Sequence, residues 1–479
     1  MLINLFNMKK ALFIALCFLS MAACKTGRKD SVVKPNLLFI WTDQQQFNTM
    51  AAYGNPVIRA PHLNELASKG VVFRKAYVTF PLCTPSRSSV MTGLYPHTTG
   101  CTGNNVPLPP DFQTFNELLD DPEYLSAYMG KWHLGDEIFR QQGFDEWVSI
   151  EDGYIQYYSD GRNEDERSSY HHWLVEKGYE PNENNIFTRQ FATSLPIEHC
   201  KPSFLSENAT RFINQNADKP FVLYVNFLEP HTPFNGPLND LHEMSDIKLP
   251  ENYNDLPWEN VQGLEDVPEA PFRTRARDDQ ILIETKRKYW GLVSQVDRSV
   301  GAILSALEEE GLAGNTIIVY TSDHGEMMGA HRMMGKNNPF EEATRVPLII
   351  FDPRSGMEQR ILDRPVSLID LVPTLLDLMG TDMPLHLQGK SLAPVIKGDD
   401  YPGRYVFSES RNFRIVVSPD DWKLVIMDKI NFLFNLNDDP LEKKNLYYLD
   451  EYKDKKELLL EKLADWQEQT NDPYILAIE

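Results

Sequence analysis

The chain has 479 residues, 42% of them hydrophobic and 11% aromatic, which excludes a disordered or fibrous protein and is too long for one minimal core. Length alone predicts two or three domains, or one large α/β domain with an appendage. Asp and Glu outnumber Lys and Arg by 69 to 47, a formal net charge of −22; this argues against nucleic acid as a partner and, at first sight, against any polyanionic substrate.

The N-terminus reads as an export signal. Met8-Lys9-Lys10 is a short basic region, and Ala11–Ser20 is an apolar run too short to span a bilayer comfortably. Small residues then lead to Cys24, a lipobox-like ending. Residues 1–23 are therefore read as a lipoprotein-type signal peptide and 24–34 as a tether, with lipidated Cys24 as the membrane anchor. An ordinary secretory signal cleaved nearby is the alternative. The predicted location is periplasmic or outer-membrane, as a lipoprotein of a Gram-negative bacterium. Beyond this segment remain Cys83, Cys101 and Cys200, too few for a disulfide framework, with a Cys101–Cys200 pairing left open.

In chain order, apolar runs at Asn36–Trp41, Tyr124–Met129, Phe221–Leu228 and Thr316–Tyr320 predict strands buried on both faces. Helices are predicted at Pro61–Lys69, Ser203–Asn214, Ile281–Glu310 and Ser367–Met379, the last ending at Gly380. Alternation of the two predicts a large doubly wound α/β sheet. Residues 235–280, rich in Pro, Asn and Asp, read as an irregular excursion. After about residue 400 the runs Arg404–Ser408, Phe413–Ser418, Trp422–Met427 and Phe432–Leu436 predict a small antiparallel sheet, and Glu457–Gln469 a final helix. The domain reading is 35–400 for the α/β body and 401–479 for a C-terminal α+β subdomain.

Each long strand ends in a polar cluster: Asp43-Gln44, Lys131-Trp132-His133, Glu229-Pro230-His231 and Asp323-His324-Gly325. Ligands of such sheets bind beyond the carboxyl ends of the strands. Between the first two clusters lies Cys83-Thr84-Pro85-Ser86-Arg87, with Pro85 suited to a first helical turn. Cys83 then sits at a helix N-terminus that favours an anion, and Arg87 one turn away.

Cys-x-Pro-Ser-Arg, closed by Thr92-Gly93, resembles the signature of the formylglycine-dependent sulfatases of the alkaline-phosphatase superfamily. Segments 130–135, 230–233, 322–326 and 335–347, including Lys336, follow in the family's order. The resemblance runs from about Pro35 to the C-terminal sheet. It implies an alkaline-phosphatase-like sheet and a sulfuric ester hydrolase. It also implies oxidation of Cys83 to formylglycine by a separate maturating enzyme, and a Ca²⁺ ion (Mg²⁺ second) on Asp43, Gln44, the modified Cys83, Asp323 and His324. Gln44 and His324 depart from the Asp and Asn that many relatives carry. Arg87 is implied to orient the nucleophile and the carboxylates, and Lys131 and Lys336 to bind sulfate. His133 is implied to bond the formylglycine hydrate, and His231 to protonate the leaving oxygen. His331 is either a supporting residue or a substrate contact.

The implied reaction is in-line attack on sulfur by the hydrated aldehyde, then expulsion of sulfate as the aldehyde re-forms. The expected substrate is a sulfated glycan fragment (glycosaminoglycan, mucin or algal), taken by its end into a pocket. Tyr170-His171-His172-Trp173 and Arg189 are candidates to grip the sugar and its carboxylate, against ordinary packing of an irregular segment. Two rivals remain: a phosphodiesterase or phosphonate monoester hydrolase of the same superfamily, and a non-catalytic glycan-binding lipoprotein. A concentrated positive site reconciles an anionic substrate with the acidic chain, since charges beyond a Debye length of about 10 Å are screened. The acidity still speaks against a long basic groove.

Overall fold

A computed structural model of the chain describes residues 34–259 and 278–477. The export segment, Cys24, the tether up to residue 33 and part of the predicted excursion lie outside these residues. The strands in chain order are β1 (Asn36–Thr42), β2 (Val71–Phe73), β3 (Ala76–Tyr77), β4 (Leu125–Gly130), β5 (Glu146–Val148), β6 (Phe221–Asn226), β7 (Thr316–Ser322), β8 (Arg345–Val346), β9 (Leu348–Phe351), β10 (Arg360–Leu362) and β11 (Val366–Ser367). The main sheet runs β10-β2-β9-β7-β1-β6-β4-β5, and β11-β3-β8 form a smaller one.

The four central strands β7, β1, β6 and β4 are mutually parallel. β9 is antiparallel to both neighbours, which makes the sheet mixed. Every residue of β1, β6 and β7 is buried, as strands covered on both faces require. Alternate side chains divide between two cores. Leu38, Ile40, Leu223 and Val225 pack with the helices Pro61–Lys69, Lys201–Gln215 and Asp279–Glu309. Leu37, Phe39, Trp41 and Tyr224 pack with Cys83–Thr92 and Leu371–Met379. The last of these starts later than its pattern implies. A capping box between Ser367 and Asp370 first closes a tight turn at Leu368–Asp370, and the helix then stops at Gly380 with φ 76°. Cys101 and Cys200 belong to opposite cores and both are free, so the pairing left open by the sequence does not form.

β12 (Val406–Glu409), β13 (Phe413–Val417), β14 (Trp422–Met427) and β15 (Phe432–Asn435) form the antiparallel C-terminal sheet. One face buries Phe413, Ile415, Phe432 and Phe434 against Tyr77, Met327 and Phe340. The other buries Val416, Leu424, Ile426 and Leu433 beneath Leu459, Leu463 and Trp466 of the helix Lys453–Thr470. With cores shared in this way, the chain from Pro35 onward packs as one unit. Among the described residues no helix is long and apolar enough to cross a membrane.

A histidine ties the signature segment to this sheet. The His97 ring pairs through Nδ1 with Glu409 of β12, its Nε2 lies 3.2 Å from the Thr470 carbonyl, and its backbone N–H donates to Glu409 at 2.8 Å. Both ring nitrogens face acceptors, so the ring is suited to carry two protons. Burial opposes that charge, but Glu409 outweighs it and raises the His97 pKa. A raised pKa contributes stability that is complete below the unfolded value, about 6.5, and is lost as pH rises through the folded value. His97→Gln is therefore expected to lose about 1.5–3 kcal/mol near pH 6, with the gap to wild type narrowing toward pH 9. Denaturant unfolding at both pH values checks this; a gap independent of pH would show that the ring is uncharged.

Candidate active site

Strand register brings the polar clusters together. Thr42 pairs with Ser322, Trp41 with Asn226, and Gly130 with Asn226. The residues that follow β1, β4, β6 and β7 therefore emerge side by side at one end of the sheet. Gly130, at φ 117°, makes this possible: a Cβ there would lie 1.9 Å from the Asn226 carbonyl oxygen. That close approach lets Lys131 N donate to the same oxygen at 3.1 Å.

Cys83 is the first residue of the helix Cys83–Thr92, every residue of which is buried. Arg87, one turn on and fully buried, donates from Nε to Asp323 Oδ2 at 2.9 Å, from Nη2 to Asp43 Oδ2 at 3.2 Å, and from Nη1 to the Lys131 carbonyl at 2.7 Å. One guanidinium thus fixes the ends of β1, β4 and β7. Lys131 Nζ reaches Asp43 Oδ2 at 2.6 Å and lies 3.9 Å from Cys83 Sγ. Lys336 Nζ is 3.0 Å from the same sulfur and 2.8 Å from Gln44 Oε1. Burial works against a thiolate here, yet Lys131, Lys336 and His324 outweigh it and hold the Cys83 thiol well below its ordinary value. The position is built for an anion.

Asp43, Cys83, Asp323 and His324 each offer a donor atom, all within 4.8 Å of one another and all buried. His324 Nδ1 lies 2.9 Å from the Gly325 carbonyl and so carries the proton. Nε2 is the ring nitrogen turned toward Cys83 Sγ, 3.2 Å away, with Asp323 Oδ1 at 3.5 Å and Asp43 Oδ1 at 3.7 Å. Against burial, Asp323 raises the pKa of the ring, and a cation in the cluster would take the place of the Nε2 proton. Burial and the facing Asp43 push the Asp323 carboxyl up, a mutual repulsion that a cation between them would relieve. The donors fit a hard divalent ion once oxygen replaces sulfur at position 83.

Gln44 is held by its neighbours. Its backbone N–H donates to Asp323 Oδ1 at 3.1 Å, and its Nε2 donates to Glu326 Oε2. Glu326, fully buried, also accepts Gly335 N at 2.6 Å and Met328 N at 3.1 Å. One carboxylate therefore orients both the Gln44 carboxamide and the turn that carries Lys336. Glu326 lies in a motif visible in the sequence, but nothing in the spacing assigns it this part. Glu326→Gln is expected to weaken metal affinity about 10–100-fold while leaving the donor set intact. Titration of the metal-free protein with Ca²⁺ measures it, and an unchanged affinity would remove Glu326 from this role.

His133 reaches the site by a route unlike the extended one its spacing implies. It sits at φ 59°, in a left-handed turn fixed by Glu137, which accepts Trp132 N at 2.8 Å and His133 N at 2.6 Å. Its Nε2 meets Asn105 Oδ1 at 2.8 Å, which places the proton there. Nδ1 is buried, lacks a well-formed hydrogen bond and lies toward Cys83. Burial and Lys131 lower the His133 pKa to about 4. His231 Nδ1 lies 2.8 Å from the Thr232 carbonyl, leaving Nε2 as its free ring nitrogen. Burial and Lys336 lower its pKa to about 4 as well.

These groups open into a cavity of about 500 Å³ lined by Cys83, Lys131, His133, His231, Lys336 and Arg189, with Tyr154, Tyr157 and several amides. The 170–173 run is not part of it. Tyr170 packs in the core, His171 bonds Asp152 at 2.9 Å, Trp173 lies against Phe204 and His172 is solvent-exposed. Ordinary packing is the reading that holds for that run. His331 is not a substrate contact either. It is fully buried, its Nδ1 lies 2.6 Å from the Asp255 carbonyl, and its Nε2 lies 3.2 Å from Asn252 Nδ2. Asn105, Glu137, Glu151 and Glu326 carry no sequence signal comparable to that of Cys83.

Residues 35–381 match the family model described as Sulfatase, and residues 329–469 match the C-terminal model of N-sulphoglucosamine sulphohydrolase. The chain belongs to the sulfatase family. Its nucleophile motif places it with the formylglycine-dependent members of the alkaline-phosphatase superfamily, and it is accordingly a sulfatase enzyme. It is 30% identical to the uncharacterized sulfatase YidJ of Escherichia coli K12, over 92% of this chain and 88% of that one. It is 28% identical to an N-acetylglucosamine-6-O-sulfatase of Bacteroides thetaiotaomicron, over 96% and 92%. The sulfatase also shares its fold with a phosphonate monoester hydrolase from Silicibacter pomeroyi, at TM-score 0.75 and 22% identity, covering 91% and 96% of the two chains.

Proposed function

We propose that this sulfatase releases inorganic sulfate from a sulfated carbohydrate, acting at a chain end, with Cys83 converted to formylglycine. The observation that carries the reading is the convergence of Lys131, Lys336 and Arg87 on the Cys83–Asp43–Asp323 cluster, a positive site in an acidic protein. The hydrated aldehyde supplies the nucleophile. A divalent cation, Ca²⁺ first and Mg²⁺ second, held by Asp43, Gln44, residue 83, Asp323 and His324, supplies charge stabilisation.

The chain's own groups do the rest. Lys131 and Lys336 take the sulfate oxygens and offset the charge that repels an anionic nucleophile. Arg87 keeps both carboxylates in register. His231 is the general acid toward the departing sugar oxygen. The low pKa of its free form reflects burial and Lys336, and the bound anion's charge favours the protonated ring. His133, with Nδ1 unprotonated beside residue 83, accepts the proton when sulfate is expelled. The cavity of about 500 Å³ above Cys83 has room for the end of a glycan, which supports action there. The name of the Bacteroides thetaiotaomicron relative supports a carbohydrate substrate. Glycosaminoglycan, mucin-type and algal fragments are the candidate sources. The lipobox-like N-terminus supports export and anchoring at Cys24, in the periplasm or on the outer membrane, and a maturating enzyme is the required partner.

A panel of defined sulfated mono- and disaccharides, scored for free sulfate with the matured protein, tests the reading. Phosphonate and phosphodiester substrates belong in the same panel, because a phosphonate hydrolase shares the fold. Turnover on those with no sulfate release would establish that second reading instead.

A further inference from the structure

The cavity contains a cation that sulfate chemistry leaves unused. Arg189 opens the short helix Arg189–Thr193, and its side chain is only 25% exposed. Its Nε donates to Glu151 Oε2 at 2.6 Å, and its Nη2 lies 2.5 Å from the same oxygen and donates to the Tyr154 hydroxyl at 3.0 Å. Among the described residues Nη1 meets only His231 Nδ1, at 3.4 Å. That nitrogen already donates to the Thr232 carbonyl, so it offers Arg189 no lone pair. Among the described residues the Nη1 N–H groups therefore have no acceptor, on a side chain that lines the cavity.

Glu151 does not cancel the charge. It is shared with Lys201, whose side chain is 3% exposed, so one carboxylate serves two cations. Asp152, the next acidic residue on this wall, is turned to its own donors: Ser168 N and Oγ, His171 Nδ1 and Phe187 N. The remaining polar lining, Asn104, Asn105, Gln156 and Gln190, is uncharged and suited to sugar hydroxyls. A guanidinium held at Nε and Nη2, with Nη1 open, matches an anionic oxygen better than a hydroxyl.

We infer that Arg189 forms a second anion subsite, so that the preferred sugar carries a carboxylate or a second sulfate besides the ester that is cleaved. This rests on the sulfatase reading of the Cys83 site and names the substrate class within it.

The test uses the full matured chain with Ca²⁺ and matched substrates on one sugar scaffold: singly sulfated, the same with a second sulfate, and the same with a uronate carboxylate. At least one two-anion form is expected to exceed its singly sulfated counterpart at least tenfold in kcat/KM, and which one does so identifies the anion. Arg189→Gln is expected to cut that ratio at least tenfold, mainly through KM. Equal kcat/KM on all forms, or an equal loss on all of them in the variant, overturns the subsite. Calorimetry adds a readout that needs no turnover. Unsulfated glucuronate and N-sulfoglucosamine, both lacking the ester, are compared with glucose in the wild type and in Arg189→Gln. A preference for either anion that the variant loses at least tenfold supports the subsite, and no preference, or one the variant keeps, overturns it. Absence of sulfate release from every substrate, with such a preference retained, would instead count against the proposed reaction.

Discussion

Alanine at position 83 is expected to eliminate turnover, lowering kcat by at least about 10⁴-fold, the scale on which removal of a covalent nucleophile acts. The geometry explains why nothing substitutes for it. Cys83 is the residue on which Lys336 at 3.0 Å, His324 at 3.2 Å and Lys131 at 3.9 Å converge, at the start of a helix that favours an anion. The Cys83→Ala protein should still fold, since the side chain is small and the carboxylates remain bridged by Arg87. Cys83→Ser should be as inactive, because the expressed hydroxyl lacks the second oxygen of an aldehyde hydrate. Sulfate release measured beside wild type, both co-expressed with a maturating enzyme, decides the matter. Retained turnover in the alanine variant would refute covalent catalysis from this position.

Arg87→Met is expected to have the largest effect on stability. Two carboxylates with no exposed side-chain surface, Asp43 and Asp323, lose the guanidinium that, among the described residues, contacts both. Removing one partner from a buried charge group costs about 3–5 kcal/mol, far more than a surface pair contributes. Lys131 still neutralises Asp43, so the stranded group is chiefly Asp323, which burial and Asp43 already push up. Denaturant unfolding should show the loss, and added Ca²⁺ should recover part of it by binding only the folded state. A loss under about 1 kcal/mol would mean that the carboxylates are held by something other than Arg87.

The body of the fold was legible because its strands announce themselves. The runs at Asn36–Trp41 and Thr316–Tyr320 are apolar without interruption, and Pro61–Lys69 is bounded by a proline and a glycine where a helix starts and stops. The site residues were legible for the same reason: they follow those strands directly. What the sequence concealed depends on backbone handedness and on partners distant along the chain. The left-handed turn at His133 needs Glu137 beneath it, and the Gln44 carboxamide is set by Glu326, 282 residues away. Aromatic and His content at 170–173 was a poor guide, because the same residue types serve a core as well as a sugar. His331 was ambiguous for that reason too, and its bonds to Asp255 and Asn252 make it a buried scaffold residue.

The burial of Cys83 has a consequence for timing. The thiol is 1% exposed, beneath lysines from two other parts of the chain. An oxidising enzyme cannot close its own active site around a side chain so enclosed. The enclosure itself forms late: β1 must pair with β6 and β7, whose residues lie some 185 to 280 positions further along, and such distant closures are slow. The proposed conversion of Cys83 would therefore be confined to the interval between its synthesis and the completion of the central sheet, with the rate of strand closure setting how long that interval lasts.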